Sequence, residues 1–280
     1  MTFLLILAYF LLIFPLWTSL STYSFFWYEN AWKTRNLPNG QGLGGAVLVG
    51  MLSSFASVIF ILATFPLGYL KNRLRPESPL APGPVIVLTH GLYHNASAWL
   101  LFSKHLRKAG FQNIFVINYR SFFTDFEKTF EKFATFASEA SRAAPDRPVY
   151  LIGHSLGGLL SRVYAERSLG GRAPAAVITL GSPHQGSKLA AFGPGKLAAS
   201  LLYRGPLFTK IESESASIPC PGFALTSPVD NMVFPREAEQ VPYEGWEYHQ
   251  THPLSHTAML YSKSVARKVI ELIQSREAGR

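Results

Sequence analysis

Hydrophobic and polar positions divide the 280-residue chain into two parts of different character. From Thr2 to Trp27 nearly every position is Leu, Ile, Phe, Ala, Tyr or Trp, and no charged side chain occurs before Glu29. A run of that length can cross a hydrocarbon core about 30 Å thick. It lacks the basic start and small-residue close of a secretory signal, and it ends in the interface aromatics Phe25-Phe26-Trp27-Tyr28. A retained helix over 3–27 is therefore predicted, with Pro15 as a point of bending. After a polar loop reaching about Gln41, charge is missing again between Arg35 and Lys71, which predicts a second span over 44–70. Its Gly44, Gly45, Gly50, Ser53, Ser54 and Ser57 suit close helix packing, so residues 1–75 read as a two-helix transmembrane hairpin. Lys71, Arg73 and Arg75 after the second span outnumber Lys33 and Arg35 in the loop, which favours the cytoplasmic side for the C-terminal body.

From Pro76 to Pro84 the chain is Pro-Glu-Ser-Pro-Leu-Ala-Pro-Gly-Pro, a stiff linker that can be neither helix nor central strand. Beyond it, over 85–280, short apolar runs alternate with helical patterns. Strands are expected at Val85 to Leu88, Asn113 to Tyr119, Val149 to Ile152, Ala175 to Leu180 and Phe223 to Thr226. Helices are expected at Trp99 to Ala109, Phe126 to Arg142, Leu156 to about Ser168 and Thr257 to Gln274. Phe126, Phe130, Phe133 and Phe136 share one face of the second helix and read as core, while Arg162 and Glu166 mark a polar side on the third. Continuous apolar strands alternating with helices predict an α/β fold, a mostly parallel sheet covered on both faces. Residues 187–220 break the rhythm with Leu-, Ala- and Phe-rich pieces punctuated by Gly and Pro, and are expected to form a lid.

In such sheets the chemistry lies at the carboxyl ends of the strands. There the Val149 strand runs into Gly153-His-Ser-Leu-Gly157 and then a helix, the strand–turn–helix setting in which Gly-x-Ser-x-Gly presents a nucleophilic serine. Ser155 then needs a base and a group to orient it, which on this kind of turn follow in the order acid, histidine. Asp125 and Asp146 precede the turn; Asp230 follows a strand and is the favoured acid, with Glu237 and Glu239 as the other candidates. For the base, His256 stands just before the last helix, with His252 and His249 behind it. An oxyanion would be met by the backbone N–H of Leu156 and by that of Leu92, in the loop His90-Gly-Leu-Tyr-His-Asn95. His90, Gly91, His154 and His184 lie on the same rim as candidate substrate contacts.

Composition adds two limits. The net charge of +9 is scattered, with no basic stripe interleaved with exposed aromatics, so attraction to anionic membrane lipids fits better than nucleic acid. The single cysteine, Cys220, excludes an internal disulfide and any cysteine-based metal cluster, and no metal site or cofactor is expected.

Together His90-Gly91, Gly153-His-Ser-Leu-Gly-Gly158, Leu180-Gly-Ser-Pro-His-Gln-Gly-Ser187, Asp230 and His256 resemble the α/β-hydrolase superfamily. Within it they are similar to the lipase and esterase branch that includes GPI inositol-deacylase-like proteins. The resemblance covers about Val85 to the C-terminus. It implies an α/β-hydrolase fold with Ser155, Asp230 and His256 as nucleophile, acid and base, and Leu92 and Leu156 as oxyanion donors. A secreted lipase lacks the hairpin, so the expected function is a membrane-anchored serine hydrolase of lipid or acyl esters, with no obligate protein partner. An acyltransferase using the same residues and a non-catalytic membrane binding module are the alternatives.

Overall fold

A computed structural model describes residues 6, 9–30, 37, 40, 42–70, 75–76, 79–167, 172–214 and 217–279. Two long apolar helices open the chain. The first, α1 (Phe14–Asn30), is preceded by a π-helical turn over Tyr9–Ile13. Pro15 follows that turn directly; it has no N–H to donate, and its ring crowds the carbonyl one turn back, which a wider turn accommodates. The second, α2 (Leu43–Thr64), runs on as a 3₁₀ turn, Phe65–Tyr69. Tyr9–Asn30 and Leu43–Tyr69 are each long and apolar enough to cross a membrane. They pack as a hairpin, and Gly50 is needed there, since a Cβ on it would lie 2.2 Å from the Tyr23 hydroxyl oxygen. Lys33, Arg35, Lys71 and Arg73, on which the expected sidedness rests, lie outside the described residues.

The linker is tied down at its end, where Asn113 Nδ2 donates to the Ala81 and Gly83 carbonyls and Arg147 also bonds Ala81. The body then alternates: β1 (Val85–Thr89), α3 (Leu100–Lys108), β2 (Asn113–Val116), α4 (Phe126–Arg142), β3 (Val149–His154), α5 (Leu156–Glu166) and β4 (Ala176–Leu180). It continues through α6 (Lys196–Ser200), α7 (Pro206–Glu214), β5 (Gly222–Thr226), β6 (Trp246–Gln250) and α8 (Lys263–Ala278). All six strands pair in parallel in the order β2-β1-β3-β4-β5-β6. The α/β fold expected from the sequence is the one observed, with one strand more.

Alternate residues of each buried strand feed opposite layers, as the strand repeat requires. Ile86, Leu88, Tyr150 and Ile152 pack with α3 and α8, and Val85, Val87, Val149 and Leu151 with α4 and α5. Asp125 caps α4 by accepting from Lys128 N at 3.0 Å, and Phe126, Phe130 and Phe133 are core, with Phe136 half-buried.

One expectation is corrected. Arg162 and Glu166 do not form a solvated side of α5: their side chains are buried, paired at 2.6 Å, and joined by the Tyr243 hydroxyl and the His184 carbonyl. The segment expected to form a lid packs Leu197, Leu201, Phe208 and Ile211 against the α4/α5 layer. The added strand β6 is Trp-Glu-Tyr-His-Gln, largely exposed at the sheet edge, so it carries none of the apolar continuity of the other five.

Candidate active site

Ser155 sits between β3 and α5 with φ 55° and ψ −126°, in the positive-φ half of backbone space that a side chain enters only under constraint. The constraint is packing. A Cβ at Gly153 would lie 2.3 Å from the Gly157 backbone, and one at Gly157 would lie 2.1 Å from the Thr89 carbonyl oxygen. Only glycines let the turn close so tightly against β1. Ser155 N donates to Leu180 O at 2.9 Å, which ties the turn to β4. Its side chain is left partly accessible.

Two strands away, the loop after β5 carries Asp230. Its Oδ1 accepts from the Met232 and Val233 amides at 2.8 and 3.0 Å, and its Oδ2 accepts from His256 Nδ1 at 2.7 Å. Both side chains are buried. A carboxylate on Nδ1 fixes the ring tautomer, so Nε2 is left with the lone pair a base needs. Asn231 accepts from His256 N at 3.0 Å, anchoring the backbone of the same residue. The other candidates are elsewhere: Glu237 is exposed, His252 is exposed against Ser264, and His249 lies on β6 paired with Glu247. Glu239 is buried, and its carboxyl is pushed well above the usual range by burial and then by the charge of Asp230.

His154 joins the two halves. Its Nε2 donates to the His256 carbonyl at 3.0 Å, and the two rings lie 4.6 Å apart between centroids. Burial, then the adjacent His256, hold its pKa well below the ordinary histidine value, so it remains neutral. Gly181 backs the pair from β4: a Cβ there would lie 2.9 Å from Asp230 Oδ2 and 3.2 Å from His256 Nδ1.

The remaining rim residues divide by direction. Gly91 lies against the elbow, where a Cβ would meet that of Ser155 at 2.8 Å. His90 turns inward, stacked on Tyr119 at 4.0 Å, with its pKa pushed down to about 3 by burial. Its Nε2 accepts from Tyr119 N, which leaves Nδ1 to donate to Gly91 O at 2.9 Å. Because the carbonyl and N–H of a trans peptide point opposite ways, this bond aims the Leu92 N–H away from His90. Among the described residues the Leu92 amide donates to no other group, and the Leu156 amide is the first of the α5 donors that helix geometry leaves unpaired. His184 points into the layer beneath the rim, bonded to Thr179 and against Trp246. Nothing in the motif spacing points to Tyr119, or to Asn231 beside the acid.

Tyr93 leads from the Leu92 loop to the surface. Its hydroxyl donates to Pro194 O at 2.5 Å, next to the exposed Phe192, and its ring stacks on the exposed Phe122. Phe123 is wholly exposed, with φ 60°. The hairpin reaches the loop that carries Asp230, where Tyr23 donates to Val229 O at 2.9 Å and Asn231 Nδ2 donates to Thr22 Oγ1 at 2.7 Å, and its Phe25 ring lies 5.0 Å from that of Phe192 between centroids.

Residues 86–270 match the family model described as the alpha/beta hydrolase family. No curated protein matches the chain by sequence. Among solved structures, the Bacillus licheniformis lipase BlEst2 in its mature form superposes with a TM-score of 0.60 at 20% identity, over 71% of this chain and 95% of that one. The Aspergillus fumigatus lipase B superposes with a TM-score of 0.60 at 14% identity, over 73% of this chain and 56% of that one. At those identities the likeness is one of fold.

Proposed function

The chain belongs to the alpha/beta hydrolase family, and on that premise we propose that it is a serine hydrolase of carboxylic esters, attached to a membrane by its N-terminal hairpin. The observation that carries this reading is the Asp230–His256 pair at 2.7 Å, linked through His154 to the strained turn that bears Ser155. Ser155 Oγ attacks the ester carbonyl as His256 Nε2 takes its proton, while Asp230 holds the ring and stabilises the imidazolium. The Leu92 and Leu156 amides receive the oxyanion, each contributing about a hundredfold or more in rate. His256 returns the proton to the departing alkoxide, leaving an acyl-serine. Water, deprotonated by the same histidine, then releases the acid and restores Ser155.

Long-chain or lipid esters are the proposed substrates. Phe122, Phe123 and Phe192 form an exposed aromatic rim connected to the oxyanion loop through Tyr93, and the hairpin holds that rim near a lipid surface. The test is labelling of the full-length protein in detergent with a fluorophosphonate, followed by peptide mapping and a panel of esters of rising chain length. Label on Ser155 with activity rising toward long chains is expected. Absence of label, or label on another serine, would remove the hydrolase reading; activity confined to short soluble esters would remove the lipid part.

A further inference from the structure

We propose that the hairpin lies along the membrane surface beside the catalytic body, as an in-plane anchor whose outward face is covered by lipid, and does not cross the bilayer. This rests on the membrane-attached reading above and adds its geometry. The length of α2 with its 3₁₀ extension would allow a crossing, but the contacts along it do not.

Near its start, Ala46 and Val47 pack with Val229 and Phe234 of the body. Further on, Ser53 Oγ accepts from Ser255 N at 2.9 Å and Ser57 Oγ meets Thr257 Oγ1 at 2.6 Å. Phe60 packs on Tyr261, with ring centroids 4.7 Å apart. At the far end, Asn95 Nδ2 donates to Phe65 O at 2.8 Å and Asn118 Nδ2 to Gly68 O at 3.0 Å. From residue 46 to residue 68 the helical rise amounts to roughly 33 Å, about the full thickness of a hydrocarbon core. The first helix ends against the body as well, with Glu29 paired to Lys188 at 3.0 Å.

Two crossing helices would put the loop between them on one side of the bilayer and the linker to the body on the other. The body here touches both ends of α2 and its middle. If α2 crossed in this arrangement, the loops carrying Asn95, Asn118 and Ser255, and the Glu29–Lys188 pair, would lie at hydrocarbon depth, where uncompensated polar and charged groups are costly.

The opposite face of the hairpin has the complementary chemistry. Ile13 of the π-helical turn, Trp17 and Leu20 of the first helix and Leu48, Val49 and Leu52 of the second are exposed, and the Trp17 indole N–H is the one polar group among their side chains, Trp17 being exposed by 64% and Leu52 by 62%. Helices that lie in the interface sink such a face about 5–10 Å, to the boundary of headgroups and acyl chains. The cleft between the helices, lined by Leu12, Leu16, Met51 and Phe55, is apolar and suits an acyl chain. The net charge of +9 complements anionic headgroups.

The test uses the full chain with Cys220→Ser and a single new cysteine, either Asn39→Cys in the inter-helix loop or Glu244→Cys on the body. Sealed right-side-out and inverted vesicles of the expressing cells are treated with a membrane-impermeant maleimide. Labelling of both positions from the same side is expected; labelling from opposite sides overturns the in-plane geometry whatever the enzyme's activity. A second variant, Leu48→Ser with Leu52→Ser, alters only outward positions and is expected to lower the membrane-bound fraction about tenfold or more while Ser155 labelling persists. Unchanged membrane binding of that variant would also overturn it. A wild-type chain that does not sediment with membranes would remove the attachment itself, leaving the hydrolase reading untouched.

Discussion

Replacing Thr22 by valine changes one hydroxyl to a methyl in a helix of the hairpin, far from Ser155 in sequence. The hydroxyl oxygen accepts from Asn231 Nδ2 at 2.7 Å, and the same amide accepts from His256 N at 3.0 Å through Oδ1. Both side chains are buried, so the valine leaves a buried N–H donor without a partner, at a cost of about 1–3 kcal/mol. Asn231 can relieve that cost only by rotating, which releases the backbone of the proposed base. If the cost falls on the active geometry, the rate falls by roughly 5- to 150-fold, and about tenfold is expected. The assay is kcat and KM on a soluble short-chain p-nitrophenyl ester, with melting temperature measured in parallel; a stability loss alone would appear as about 2–4 °C per kcal/mol. The expected pattern is a lower kcat, an unchanged KM, and recovery with Thr22→Ser, which restores the oxygen. A Thr22→Val protein with wild-type kcat and a lowered melting temperature would show that the hairpin contact is structural only, and would refute the coupling.

Other consequences are equally concrete. His90→Ala removes the bond that orients the Gly91–Leu92 peptide, so kcat should fall toward the roughly hundredfold loss typical of one oxyanion donor, with little change in KM; a wild-type kcat would contradict that orientation. Gly153→Ala puts a methyl 2.3 Å from the Gly157 backbone, which cannot move aside, so the variant is expected in inclusion bodies or with a lost cooperative melt. Burial pushes His90 and His94 down to about 3 and about 4, and holds His154 and His184 well below the ordinary value. These groups are neutral when folded and take up protons when unfolded, so stability falls as pH drops below about 6.5, with His90 and His94 each costing about 2 kcal/mol by about pH 5 and His154 and His184 acting in the same direction. Melting temperatures between neutral pH and about pH 5 should fall steeply; a flat profile would contradict the burial of these rings.

What the chain disclosed about itself depended on how strongly each feature is written locally. The strands β1 to β5 are short, buried and almost wholly apolar runs, and the Phe126–Arg142 helix combines an Asp125 cap with a phenylalanine face, so both could be read directly. The strand Trp246–Gln250 could not. Its exposed edge position removes the apolar signal, and only its pairing with Phe223 and its neighbours makes it a strand. Arg162 and Glu166 looked like a solvated face because charge spacing says nothing about the Tyr243 and His184 partners that let the pair be buried. In the candidate site, Ser155, Asp230 and His256 were legible from motif and chain order. Tyr119, Asn231 and the hairpin hydroxyls were not, because they act through contacts spanning 25 to 209 residues of sequence. The hairpin was visible as two apolar runs, but its docking along the body is a tertiary fact that hydropathy does not encode.

Ester hydrolysis by this protein, as proposed, depends on Ser155 as its nucleophile. The most direct test is the steady-state hydrolysis of a p-nitrophenyl acyl ester by the full-length protein and by its Ser155→Ala variant, both confirmed folded by their melting transitions. Wild-type turnover with a loss of about a thousandfold or more in the variant is predicted, as expected when a nucleophile is removed but the oxyanion donors remain. A folded Ser155→Ala protein that keeps wild-type turnover would exclude Ser155 as the nucleophile.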